Sequence, residues 1–251
     1  MVEKQTELDK KNEGGLIETI SIVIQAVLLA LVIRVVLFQP FSIPSESMQP
    51  TLEIGDYLIV SKYSYGYSKH SFPWSAGPFS GRIFKSMPQR GDVAVFKTPT
   101  DNRTDYIKRV MGLPGDKIQM INGAVYINGN EVQREELEPL QRTDAIGRVT
   151  NTGIKRYRET LENGTSYITY DVRPLSQADN TPVFEVPEDH VFMIGDNRDR
   201  SNDSRLGVGF VPVENLVGKA QFIFFSIEGG AAWQFWRWPT QARFSRVLND
   251  L

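Results

Sequence analysis

Two serines one residue apart, Ser45 and Ser47, sit between Pro44 and Pro50 in the stretch PSESMQP. In extended chain, residues i and i+2 point the same way, so both hydroxyls can face one cleft. A hydroxyl becomes a nucleophile only when a base takes its proton. The chain narrows the choice of base, because it has no cysteine and only two histidines, His70 and His190. Thiolate catalysis, disulfides and Cys-zinc sites are excluded, and two histidines are too few for a multi-histidine metal site. His70 lies in a Ser/Gly/Pro-rich stretch and His190 follows Pro-Glu-Asp at a turn, contexts that suit structural or solvated imidazoles. The remaining candidate is a lysine held neutral. Lys108 stands inside the apolar run YIKRVMGL, flanked by Ile107 and, two residues on, Val110. Burial in such a strand disfavours the ammonium and lowers the amine pKa. A drop of about three units corresponds to about 4 kcal/mol. Alternation sets Lys108 and Arg109 on opposite faces, so one of the two is expected to be exposed.

A third polar stretch, GDNRDRSNDSR at 195–205, follows the apolar run VFMI. As a calcium loop starting at Asp199 it would need glycine at its sixth position and glutamate at its twelfth. Ser204 and Phe210 stand there, so calcium is excluded. What remains is a polar network in which Asp203, Arg198 and Arg205 can pair and Ser201 can bond a neighbouring amine. Taken singly, each piece also has a plain structural reading: a capped turn, an exposed strand lysine and a solvated loop.

The elements that must hold these residues follow from pattern. Residues 17–38, IETISIVIQAVLLALVIRVVLF, form an apolar run that would be roughly 33 Å long as a helix, enough to cross a bilayer core. Glu18 and Arg34 lie at its ends. No basic leader precedes the run and no A-x-A follows it, which favours an anchor over a cleaved signal peptide. Downstream the pattern turns to short β-like runs. GDYLIVSK and GDVAVFK are turn-strand units, Asn122-Gly123 and Asn128-Gly129 are hairpin turns, and Asn163-Gly164 repeats the idea. The expected fold is mainly β: an antiparallel, barrel-like sheet behind one N-terminal transmembrane helix. The Ser-, Gly-, Pro- and aromatic-rich residues 68–90 read as a long loop. A net charge of −2 gives no general pull toward nucleic acid.

In order behind the apolar run, FSIPSESMQPTL, GDVAVFK, DYIKRVMGLPGD and GDNRDRSNDSR resemble the boxes of bacterial type I signal peptidases (leader peptidases). FVPVENLVGKA and WPTQARFSR extend the likeness toward the C-terminus. It is weakest over 1–15, 68–90 and 133–185. The resemblance implies a cytoplasmic tail at 1–15, a single anchor at 16–39 and an extracytoplasmic catalytic domain at 40–251, with 68–90 and 133–185 as insertions or variable stretches. It implies residence in the bacterial cytoplasmic (inner) membrane with the catalytic domain on the periplasmic side.

The same resemblance assigns roles. Ser47 is the nucleophile and Lys108 the general base. Ser45 donates to the oxyanion beside the Ser47 backbone N–H. Ser201 orients the lysine, and Asp203 supports the site by pairing with an arginine, Arg205 or Arg109. The substrate is the signal peptide of a secreted preprotein, cut after small residues at −3 and −1. It lies as an extended strand near Pro44 and Asp105–Ile107, in pockets walled by Phe41, Ile43, Pro44, Met48, Leu52, Val95, Tyr106 and Ile107. No cofactor and no metal are implied. Protein-export machinery is a possible partner, and Trp233, Trp236 and Trp238 are candidates for contact with the lipid bilayer. Two residues depart from the family pattern: Glu46, where a small residue is usual, and Arg200, where asparagine is expected.

Overall fold

In the computed structural model the described residues are 2–143, 148–173, 175–229 and 233–251. Met1 of the expected tail, and 144–147 and 174 of the expected variable stretch, lie outside them. The chain opens with a helix, α1 (Val2–Val32), that ends in a π-helical turn, Ile33–Leu37. Its span Ile17–Leu37 is apolar, 21 residues long and unburied by the rest of the chain. At ~1.5 Å per residue it is about 32 Å long, enough to cross a membrane core. Phe38 and Gln39, expected at the end of the anchor, already belong to strand β1 (Phe38–Ser42). Pro40 explains this, since the residue before a proline is pushed out of the helical region.

A seven-stranded sheet forms the body. Its strands in chain order are β1, β2 (Asp56–Ser61), β3 (Val93–Lys97), β4 (Asp105–Gly112), β5 (His190–Ile194), β6 (Val211–Pro212) and β7 (Leu216–Ser226). Their spatial order is β1-β2-β7-β3-β4-β5-β6, and every neighbouring pair is antiparallel. The eleven-residue β7 carries three register shifts against its two neighbours. Such bulges add local twist and bend, which curls a long sheet toward a half-barrel. Apolar side chains pack on both faces: along β3, Val93 and Val95 belong to one cluster with Leu58 and Ile223, and Ala94 and Phe96 to another with Val110 and Leu216.

Smaller sheets surround this body. Lys117–Ile121 and Ala124–Ile127 form the hairpin expected at Asn122-Gly123, with both turn residues at positive φ (49° and 76°). That is the type I′ geometry Asn-Gly favours. The Asn163-Gly164 turn differs. There Lys155–Thr160 and Ser166–Asp171 are joined by five residues, and only Gly164 is left-handed. Residues 68–90 contain short 3-10 turns and a two-residue strand, Arg82–Ile83, paired back to Tyr67–Ser68.

Two consequences of this topology reach the site. First, β4 is buried from Lys108 to Gly112, because the sheet is covered on both faces there. Lys108 and Arg109 are therefore both interior, at 3% exposure each, where alternation had led to the expectation of one exposed side chain. Second, β5 pairs with β4 only over Arg109–Gly112. On that side Asp105–Ile107 has no partner strand among the described residues. β1 is likewise an edge, paired only with β2.

Candidate active site

Ser47 sits in a tight turn just beyond β1. The turn closes by Gln49 N–H donating to the Glu46 carbonyl (3.1 Å) and Leu52 N–H to the Met48 carbonyl (2.9 Å). Met48 and Leu52, expected as pocket walls, are fully buried in the core cluster with Leu58 and Val60. They plug the turn into the sheet from below, and the groove described next does not include them.

Strand β4 brings Lys108 to this turn. Lys108 Nζ donates to Ser47 Oγ at 2.6 Å and to the carbonyl of Ile107 at 2.8 Å. When the amine is neutral, the same contact lets its lone pair receive the hydroxyl proton. Burial lowers the Lys108 pKa to about 8, against an opposing pull from Asp203 and Asp196. At that value roughly a tenth of the amine is neutral at pH 7. The Ser45 hydroxyl lies 3.4 Å from the Ser47 hydroxyl on the same side.

The loop after β5 holds the back of the site. Asn197 N–H donates to the Ser47 carbonyl (3.1 Å), and Asn197 Nδ2 donates to the Glu46 carbonyl (3.1 Å). Gly195 allows this closeness: a Cβ there would lie 2.5 Å from the Ser47 carbonyl oxygen and would strike Ser201 Oγ. Asp203 accepts Arg205 Nε and Nη2 (3.0 and 2.8 Å) and the Gly195 N–H (3.0 Å). Burial pushes the Asp203 carboxyl upward, but the Arg205 pair and these hydrogen bonds outweigh it and hold the group below the usual range. Arg205 is thus the partner of Asp203. Arg109 instead forms a two-point pair with Asp196 (2.9 and 2.7 Å), reinforced by Thr51 Oγ1 on the same carboxylate. Ser201 is buried close enough to Asp203 to favour its charge, yet among the described residues its Oγ is in hydrogen-bond geometry with no atom, Lys108 included.

Gly195, Asp196 and Asn197 were missed as site residues in the sequence. The signal was there, in the Gly-Asp-Asn opening of the polar box, but their partners are Ser47, Glu46, Arg109 and Thr51 from distant segments.

A groove of about 510 Å³ runs past Ser47 and Lys108. Phe41, Ile43, Pro44, Val95, Asp105, Tyr106 and Ile107 line it, joined by Ser42, Thr104, Arg200 and Asn202. It lies between the edge of β1 and the unpaired edge of β4, so an extended peptide can add to either as a strand. The two departures, Glu46 and Arg200, meet each other at 2.7 Å at the mouth. The charge that Glu46 adds there is compensated by Arg200.

Away from the groove, Trp233, Phe235 and Trp236 are exposed and stack edge-to-face, while Trp238 packs on Phe225 at 4.8 Å. No His/Cys/Asp/Glu cluster able to hold a metal occurs among the described residues.

Comparison with known proteins finds a match to the family model described as signal peptidase, peptidase S26, over residues 16–225. Signal peptidase I of Rickettsia typhi is 45% identical over 245 residues, 89% of each chain. Signal peptidase I of Rickettsia prowazekii matches at the same identity and coverage. A signal peptidase I structure from Enterococcus faecalis V583 aligns with 53% of this chain and 97% of its own, at 26% identity and a TM-score of 0.32.

Proposed function

The chain belongs to the signal peptidase family, peptidase S26, and on that premise we propose that it is a membrane-anchored serine endopeptidase removing N-terminal signal peptides from exported preproteins. Ser47 Oγ attacks the scissile carbonyl while Lys108 takes its proton. The oxyanion is received by the Ser47 N–H and the Ser45 hydroxyl. Lys108 then protonates the departing amine of the mature chain, leaving an ester on Ser47. Water, deprotonated by the same lysine, hydrolyses that ester and frees the signal peptide. Ser201 is assigned to positioning the amine, and the Asp203–Arg205 pair fixes the loop that carries it.

The observation that carries this reading is the 2.6 Å contact between a buried lysine amine and Ser47 Oγ, in a groove bordered by strand edges with no partner strand among the described residues. The groove is walled by apolar side chains close to the backbone, which favours small residues at −1 and −3 because a large one clashes outright. On this reading α1 crosses the cytoplasmic membrane, residues from about 40 onward are extracytoplasmic, and the export machinery delivers substrate to the groove.

The pH profile tests the role of Lys108. Its amine must lose a proton to act, so kcat/KM on a preprotein should rise about tenfold per pH unit and level off above about 8. A break near 6.5 or near 10.5 would assign the base to another group. Stability carries the same signature. Between about 8 and 10.5 the unfolded chain binds this proton and the native one does not, so the group makes stability rise with pH there.

The C-terminal aromatic group suits the membrane interface, where indole rings sit at headgroup depth. In a Trp74→Phe variant the three remaining tryptophans all belong to that group. Their fluorescence in vesicles should be quenched by lipids brominated near the headgroup. Quenching by aqueous iodide instead would remove the lipid contact from the proposal.

A further inference from the structure

A second cavity, of about 370 Å³, lies where α1 meets the sheet. Leu31 and Arg34 reach it from the helix end, Lys62, Lys97 and Asp105 from the sheet, and Trp74 from the 68–90 segment. Lys62 is only 2% exposed, and its amine donates to the Ser71 carbonyl at 2.5 Å. No carboxylate lies within ion-pair distance of Lys62 or Arg34 among the described residues, and the one carboxylate in the lining, Asp105, is held by Lys97 at 2.8 Å. Burial and the nearby Arg34 lower the Lys62 pKa to about 8; Asp105 pulls it upward and Lys97 adds to the lowering. Three basic side chains thus converge on a concave surface with one acid among them. That imbalance is unusual for a buried lysine, which is normally paired.

The rim is different in kind. Trp74 is 97% exposed and Leu31 is exposed beside it. An anion with an apolar tail meets both surfaces at once: oxygens toward the cations, hydrocarbon toward the helix. We propose that this cavity binds the phosphate of an acidic phospholipid headgroup through Arg34, Lys62 and Lys97, on the reading that α1 spans the bilayer. Asp105 lines both this cavity and the substrate groove. Lys97 faces Asp105 across the β3–β4 ladder, so a bound lipid would rest against the strand edge that receives substrate. Free phosphate shares the charged half of this chemistry but makes no use of the apolar rim.

The test uses the full chain in nanodiscs of phosphatidylcholine with a minority of phosphatidylglycerol, released into native mass spectrometry. One phosphatidylglycerol should be retained in preference to phosphatidylcholine. Lys62→Gln and Arg34→Gln should each lower that retention about tenfold, as expected for loss of a charge-assisted hydrogen bond. Lys62→Arg should restore it, which separates loss of charge from loss of fold. Arg34 lies on the helix, so its variant leaves the sheet intact. Inorganic phosphate at high concentration should not displace the lipid. Retention without preference, retention unchanged in both Gln variants, or displacement by inorganic phosphate alone would each overturn the proposal. Resistance of the wild-type chain to alkaline extraction from membranes reports the anchor separately, so a failed anchor and an empty lipid site give different results.

Discussion

Lys108→Arg is expected to abolish preprotein cleavage although it preserves charge and nearly preserves size. A guanidinium stays protonated at any working pH, so it cannot accept the Ser47 proton. Lys108→Ala and Ser47→Ala should fall to the same floor, at least about 10³-fold below the parent, and the Ser47/Lys108 double variant should fall no further. Residues that act as one unit are strongly non-additive, and general-base assistance alone is worth about 10²–10⁴-fold. Lys108→Met separates chemistry from folding. It removes a desolvated amine and keeps the volume, so its thermal midpoint should match or exceed that of the parent while activity is lost. A Lys108→Arg variant that cleaves within tenfold of the parent would mean that the lysine supplies charge and does not move the proton.

The second large effect is on the back wall. Arg109 and Asp196 are both nearly inaccessible and joined at two points. Asp196→Ala leaves a buried guanidinium facing no carboxylate, which should destabilise the full chain by about 3–5 kcal/mol in denaturant titration. Adding Arg109→Ala should recover much of that, since the largest part of the penalty is the orphaned charge. Asp196 lies between Gly195, against which the Ser47 carbonyl packs, and Asn197, whose N–H donates to that carbonyl. Activity should therefore fall mainly in kcat, with KM less affected. An unchanged denaturation midpoint would show that water reaches Arg109 and that the pair is not a structural clamp.

What the sequence made legible was local. Asn122-Gly123 specified its hairpin because two left-handed residues are all that turn needs. Asn163-Gly164 has the same letters, but it closes a five-residue loop, because the spacing of its strands was set by their pairing. Ser47 and Lys108 were readable because the chain offers so few other bases. The shared burial of Lys108 and Arg109 was not readable, since alternation describes a sheet with one wet face and β4 has none at that point. Met48 and Leu52 are expected as pocket walls from the family resemblance alone. They point beneath the turn, and the groove takes Ser42, Thr104 and Asn202 from other segments instead. Gly195 could not be weighed without knowing that the Ser47 carbonyl passes within reach of its missing side chain.

The contacts that complete the Ser47 turn come late in the chain. Thr51 bonds Asp196, 145 residues on, and Asp56 below it bonds Arg246, 190 residues on. At ribosomal rates of about 5–20 residues per second, gaps of this size take about 7–40 s to synthesise. The apolar helix is made first and can enter the membrane during that interval, while the turn beside it still lacks its supports. On the proposed reading the newborn chain is therefore anchored before it is armed, and Ser47 acquires its full scaffold only once Arg246 has been translated.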